Sequence, residues 1–279
     1  MLFPIIDAHQ HFLKYDPQRD QWITEDMKVL HKDYLPADIE PVFKQNHISG
    51  SVAVQADPSE NENQFLLGLA ARYPFIRGVV GWIDLQSPRL EERLEYYQQF
   101  PLMKGFRNIL QSEEQRDSML KPGFQQGISL LNKYGFSYDL LILPDQIGYA
   151  EKLAAAFPEQ RFIIDHMAKP YIKHGMIAEW KMAIKKFASF QHVYCKISGL
   201  VTEADWEFWE IEDFRPYVDV VLETFGTKRI LFGSDWPVCL LAGDYDDVKQ
   251  IAEDYFYSFS IAEQTDFFGA NAMNFYHLT

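Results

Sequence analysis

Eight short runs of β-branched and apolar residues recur along the chain, each followed by a longer amphipathic run, and this rhythm leaves few folds open. Strands are expected at 5–11, 50–55, 78–83, 103–110, 136–143, 161–166, 193–198 and 229–233. Helices are expected at 36–46, 60–73, 89–100, 123–134, 145–157, 175–189, 214–225 and 244–259. Ser59 before Glu60, Ser87-Pro88 and Pro144-Asp145 read as helix starts, and Gly135 and Gly226 as stops. Eight such pairs over about 250 residues match a single α/β domain, a (β/α)8 barrel spanning residues 1–279. A doubly wound open sheet is the alternative, but no strand runs into a glycine-rich phosphate-binding turn.

Hydrophobic residues make up 47% of the 279, enough for a large core, and no apolar run is long enough to span a bilayer. The formal net charge of −14 argues against nucleic acid, which is bound mainly through Lys and Arg contacts to phosphate. It argues equally against an anionic membrane surface. Cys195 and Cys239 have no metal or redox spacing and read as free buried thiols. The N-terminus has no basic segment and meets Asp7 and His9 at once, unlike a signal peptide. A reducing cytoplasm is the expected setting, and a small molecule the expected partner.

In a barrel of this kind, function sits where the strands end. Polar residues gather there. The first strand delivers His9 and His11, two residues apart and so on one face, able together to grip a divalent cation or polarise a carbonyl. The second ends at Gln55, the third at Trp82-Ile83-Asp84, and the fourth carries Arg107. The sixth ends at Asp165-His166, the seventh holds Lys196, and the eighth ends at Ser234-Asp235. Charges inside apolar strands are expensive unless paired or functional. Arg107 offers a planar donor fork suited to ester or carboxylate oxygens, with a buried ion pair to an acid such as Asp139 as the alternative. Asp7, in phase with His9 but deeper, reads as a residue that orients the strand.

The His9/His11 pair, His166 and Asp235 resemble the metal-ligand set of the amidohydrolase superfamily. Asp7-Ala8-His9-Gln10-His11-Phe12, Trp22-Ile23 and Leu35-Pro36-Ala37-Asp38 are similar to its sugar-lactonase branch. So are Lys104-Gly105-Phe106-Arg107, Asp165-His166-Met167-Ala168-Lys169-Pro170, Lys196-Ile197-Ser198-Gly199 and Phe232-Gly233-Ser234-Asp235-Trp236-Pro237. The resemblance implies hydrolysis of a sugar-acid lactone of the L-fuconolactone kind. Asp235 would move the proton, and His9, His11 and His166 would polarise the carbonyl, with or without one divalent ion. Dinuclear members carry a Lys or Glu on the fourth strand and a histidine ending the fifth. Here those places hold Arg107 and an apolar run without histidine, so a second ion lacks ligands. The nitrogen-rich set favours zinc for the single ion.

Arg107, Gln55 and Lys196 are the expected contacts to substrate oxygens, with Trp82 as a pocket wall. Trp22, in the long first loop, is placed to stack on a sugar ring or simply to pack on the barrel top. His31, His47, His174, His192 and His277 have no partner pattern and read as structural. The aromatics Phe267-Phe268 and Phe275-Tyr276 suggest a C-terminal helix packed on the barrel. Two rivals remain: a metal-dependent decarboxylase of the same superfamily, and a binding protein on a degenerate barrel.

Overall fold

The computed structural model describes residues 3–279. The strands are β1 (Ile5–Gln10), β2 (Ile48–Val54), β3 (Ile76–Gly81), β4 (Met103–Asn108), β5 (Ser137–Leu140), β6 (Phe162–Ile164), β7 (Val193–Ile197) and β8 (Ile230–Phe232). They pair in parallel in sequence order. The ring is drawn together between β1 and the end of β8, where His11 N–H donates to Trp236 O (2.7 Å) and Asp235 N–H to His9 O (2.8 Å). The (β/α)8 architecture expected from the rhythm is therefore present.

The helices that return the chain between strands are α1 (Pro36–Gln45), α2 (Glu60–Ala70), α3 (Leu90–Gln98), α4 (Pro122–Lys133), α5 (Ile147–Ala156) and α6 (Ala178–Ile184). They continue with α7 (Leu200–Glu203), α8 (Ile211–Phe225), α9 (Tyr245–Phe256), α10 (Ile261–Thr265) and α11 (Asn271–Phe275). Two differ instructively from the sequence pattern. Helix α8 starts at Ile211 rather than 214, because Asp213 accepts from Glu210 N–H (2.9 Å) and caps the extra residues ahead of Pro216. Helix α6 starts three residues after Gly175 and tightens into a 3-10 turn after Ile184. Among the described residues, no helix is long and apolar enough to cross a membrane.

Two hydrophobic layers hold the barrel. One lies between the strands and the helices. The other fills the lumen with Ile6, Ala8, Val52, Val54, Val80, Ile163 and Leu231. The lumen is closed from the strands' N-terminal end by Ala272, Phe275, Tyr276 and Leu278, so the C-terminal helix is a plug as well as an outer brace. Lys104 and Arg161, near the starts of β4 and β6, anchor that plug through the carbonyls of His277 (2.9 Å) and Phe275. The opposite end stays open for chemistry.

Glu62 in the first turn of α2 is buried, and its carboxylate accepts Ala56 N–H (3.1 Å). Burial pushes its carboxyl up from 4.5 to about 7. A raised folded pKa adds stability below the unfolded value, and that stability is lost as pH rises through the folded one. We therefore expect unfolding stability relative to Glu62→Gln to fall by about 3 kcal/mol between acid and mildly alkaline pH. Urea titrations of both proteins across that range measure it; a pH-independent difference would contradict it.

Candidate active site

A bulge at the end of β1 sets the geometry. Asp7 pairs with Ser51 and Gln10 with Ala53, so three steps on β1 face two on β2. Strict alternation would put Asp7 on the face of His9 and His11. The extra residue breaks that phase, a correction to the sequence reading. Asp7 turns toward the helical layer, where it accepts from Ser234 Oγ (2.6 Å), Ser234 N–H (2.9 Å) and Tyr245 OH (3.1 Å). Burial raises its pKa to about 6 against those bonds. Asp7 thus clamps β1 to the end of β8 while His9 and His11 face the cavity.

The three histidines are held by their Nδ1 atoms. His11 Nδ1 lies 2.8 Å from Val54 O, which can only accept, so Nδ1 carries a proton, and Nε2 points to Asp235. His9 Nδ1 lies 3.1 Å from Lys196 Nζ and 3.3 Å from Asp165 Oδ1, while its Nε2 lies 3.3 Å from Arg107 Nη1. His166 Nδ1 meets Ser198 Oγ at 2.9 Å. Glycines make room for this approach. A Cβ at Gly199 would sit 2.7 Å from His166 Nδ1, and one at Gly233 the same distance from His9 Cβ.

The Nε2 atoms converge on Asp235. Its Oδ1 is 3.4 Å from His11, 3.8 Å from His9 and 3.9 Å from His166, and the two β1 imidazoles are 3.2 Å apart. Burial opposes the charge on Asp235, but His166, His11 and His9 overcome it and hold the carboxyl far below the ordinary range. Burial lowers His166 to about 4, and burial together with Lys196 takes His9 well below 6.5. At neutral pH the Asp235 carboxylate therefore faces His9 and His166 as neutral imidazoles.

That set suits a divalent ion. Tetrahedral bonds of 2.0–2.1 Å place neighbouring donors about 3.3 Å apart, close to the separations found here. His9, His11 and Asp235 form one candidate cluster and His9, Asp165 and His166 another. In the first, each histidine has its Nδ1 held and its Nε2 turned inward, the usual support of metal-binding imidazoles. In the second, Asp165 is already taken by Lys196 Nζ (3.0 Å) and Arg107 (3.1 Å).

His166 opens a run of four residues, through Lys169, with left-handed φ between 50° and 59°; Asp235 has φ 59°. Such conformations cost about 1–2 kcal/mol per residue outside glycine. Trp180 Nε1 donating to Met167 O (2.8 Å) and the Lys169–Glu203 ion pair (2.6 Å) hold the run. Strain of this kind collects at functional sites.

Above the histidines lies a cavity of about 190 Å³. Its polar lining is His11, Arg107, Gln111, Ser112, His166, Lys169 and Asp235, and its apolar lining includes Leu13, Trp22, Leu30, Ile109 and Leu141. His9 sits fully buried beneath it. Of the remaining residues singled out in the sequence, Trp22 and Arg107 reach the cavity, and three do not. Gln55 is buried behind Arg107, accepting its guanidinium through the backbone carbonyl and donating to Arg107 O (3.2 Å). Lys196 is buried between Asp139 (2.6 Å) and Asp165. Trp82 is half-buried, its backbone bonded to Asn63 outside the cavity. Arg107 pairs with Asp165 rather than Asp139, because Asp139 faces the C-terminal plug and is taken by Lys196 and Tyr276. Asp165, Ser198 and Lys169 stand in the strand-end motifs of the sequence, which gave them no role of their own. The signal for Asp165 was present in Arg107 and Lys196, two buried cations that must have acids.

The family model for amidohydrolases matches residues 6–278. An L-fucono-1,5-lactonase of Burkholderia multivorans is 37% identical over 98% of this chain and 96% of its own length. A second, from Burkholderia ambifaria, is 33% identical over 87% of this chain and 83% of its own. The crystal structure of a Burkholderia multivorans amidohydrolase with bound zinc superposes with a TM-score of 0.96 at 36% identity, covering 99% of this chain and 100% of that one. The chain described here belongs to the amidohydrolase family.

Proposed function

We propose that this protein hydrolyses the ring ester of a sugar-acid lactone of the L-fuconolactone kind. The observation that carries this is the convergence of a buried, ionised Asp235 and three imidazole Nε2 atoms at the floor of a small cavity. Identity to two L-fucono-1,5-lactonases over most of the chain supports the substrate class. Trp22 and its apolar neighbours offer a face for a sugar ring, and Gln111 and Lys169 offer partners for hydroxyls.

Ester hydrolysis needs a water activated and an oxyanion stabilised. Asp235 accepts a proton as the water oxygen bonds to the lactone carbonyl carbon. When the ring carbon–oxygen bond breaks, Asp235 returns that proton to the departing ring oxygen, leaving a hydroxy acid. Arg107 lines the cavity with its terminal nitrogens held by Asp165 and the Gln55 carbonyl, so its positive charge is fixed in place beside the developing oxyanion. His9, His11, His166 and Asp235 would hold one zinc ion, which when bound supplies Lewis-acid polarisation of the carbonyl. Lys196 and Arg107 around Asp165 disfavour a second cation.

Purified protein given a panel of sugar-acid lactones, with acid release followed by an indicator dye, tests this. Turnover of an L-fuconolactone-type substrate is expected; turnover only of an aromatic or unsaturated acid with loss of carbon dioxide would replace hydrolysis with decarboxylation. Metal analysis should find no more than one tightly bound divalent ion per chain, and two would contradict the ligand assignment.

A further inference from the structure

A file of polar contacts runs through the apolar lumen from the C-terminal plug to the site. Tyr276, just after α11, is 1% exposed and packs with the lumen residues Ile6, Val52 and Leu231. Its hydroxyl donates to Asp139 Oδ2 at 2.7 Å, and the same oxygen receives Lys196 Nζ at 2.6 Å. Lys196 Nζ then lies 3.0 Å from Asp165 Oδ1 and 3.1 Å from His9 Nδ1. Phe275 beside it fills space in the plug without a polar atom; Tyr276 carries a hydroxyl into the same apolar setting, which costs free energy unless that hydroxyl is bonded. Among the described residues Asp139 Oδ1 has no partner, so the carboxylate is held through Oδ2, by Lys196 and Tyr276.

We infer that Tyr276 is a positioning residue for the site at the other end of the barrel. It fixes the Asp139 carboxylate, which fixes where the Lys196 ammonium sits on its flexible stem. Lys196 in turn lies directly against His9 Nδ1 at 3.1 Å, with Asp165 on its other side, and so fixes the direction of His9 Nε2 into the site. Without the tyrosine oxygen, Asp139 is free to swing with Lys196, and the ammonium has a choice between two carboxylates. The kinetic consequence rests on the function proposed above; the placement of His9 does not.

Tyr276→Phe removes one oxygen and keeps the packing. Two readouts apply: the ring-nitrogen resonances of nitrogen-labelled histidines, and kcat with KM. The His9 signals, assigned by their loss in a His9 variant, are expected to move while those of His31 and His192 stay. Partners in direct contact with metal-site ligands are worth about 10–100-fold. At two contacts further out, kcat should fall about fivefold, with KM changed less than about twofold. Leu278→Ala trims the same plug without touching the polar file. It should lower the thermal midpoint while leaving the His9 signals and the kcat of folded protein in place. Unmoved His9 signals, wild-type kcat in Tyr276→Phe, or an equal response from Leu278→Ala would each overturn the inference. If wild-type protein opens no lactone, the proposed function falls, and the His9 signals alone decide the positioning role.

Discussion

Asp235→Asn is expected to lower kcat by about 10²–10⁴-fold, the range supplied by general acid–base catalysis, with a much smaller change in KM. The substitution keeps size and shape but removes the only carboxylate that lines the cavity among the described residues. Because Asp235 is held ionised far below neutrality, the wild-type base form does not run out in the acid range where an ordinary histidine would titrate. The asparagine also leaves His9, His11 and His166 without their common negative neighbour, so metal retention is to be measured alongside. A merely structural residue would give the reverse pattern, with a lowered midpoint and folded protein that turns over normally. The left-handed backbone at Asp235 is tolerated by asparagine as well, so the fold should survive.

Lys196→Met is expected to cost about 3–5 kcal/mol of unfolding free energy at neutral pH, the penalty for stripping a buried carboxylate of its cation. Lys196 is fully buried, and it sits between two acids, Asp139 and Asp165, that are also fully buried. Burial already pushes Asp139 up to about 6 against the pull of Lys196 and the Tyr276 hydroxyl. Burial likewise opposes ionisation of Asp165, but Lys196, His9 and Arg107 hold it well below the usual carboxylate range. With the ammonium gone, Asp139 has only a hydroxyl for support. Adding Asp139→Asn to Lys196→Met should recover a large part of the loss, since the charge that suffers most is then neutral. Urea unfolding of the single and double variants measures the coupling. Additive effects would show that the two side chains do not form the pair described.

The fold was legible because the strand and helix periods differ and alternate eight times. The rim residues were legible because a charge at the end of an apolar strand is costly unless it is paired or functional. What escaped is of a different physical kind. The β1 bulge inserts one residue between Asp7 and Gln10, and no local propensity marks it, so alternation misplaced Asp7. The inward or sideways aim of Lys196, Gln55 and Trp82 is decided by long-range partners. Lys196 is drawn to Asp139 and Asp165, Gln55 to the Arg107 backbone, and the Trp82 backbone to Asn63. Lys169 lies on a loop whose left-handed turn runs against propensity and is held by Trp180 and Glu203, both distant in sequence. Pattern reveals the end of the barrel at which a residue sits; the pairing of buried charges decides where its side chain goes.

Addition of water at a ring-ester carbonyl, with Asp235 moving the proton, is tested by turning over an L-fuconolactone-type substrate in heavy-oxygen water and reading the product by mass spectrometry. The expected product is a ring-opened hydroxy acid with one heavy oxygen, located in the carboxylate. Wild-type protein should form it, and Asp235→Asn should form it at least about a hundredfold more slowly. Label in a ring-derived hydroxyl, a product that has lost carbon dioxide, or equally fast labelling by the Asp235→Asn protein would contradict it.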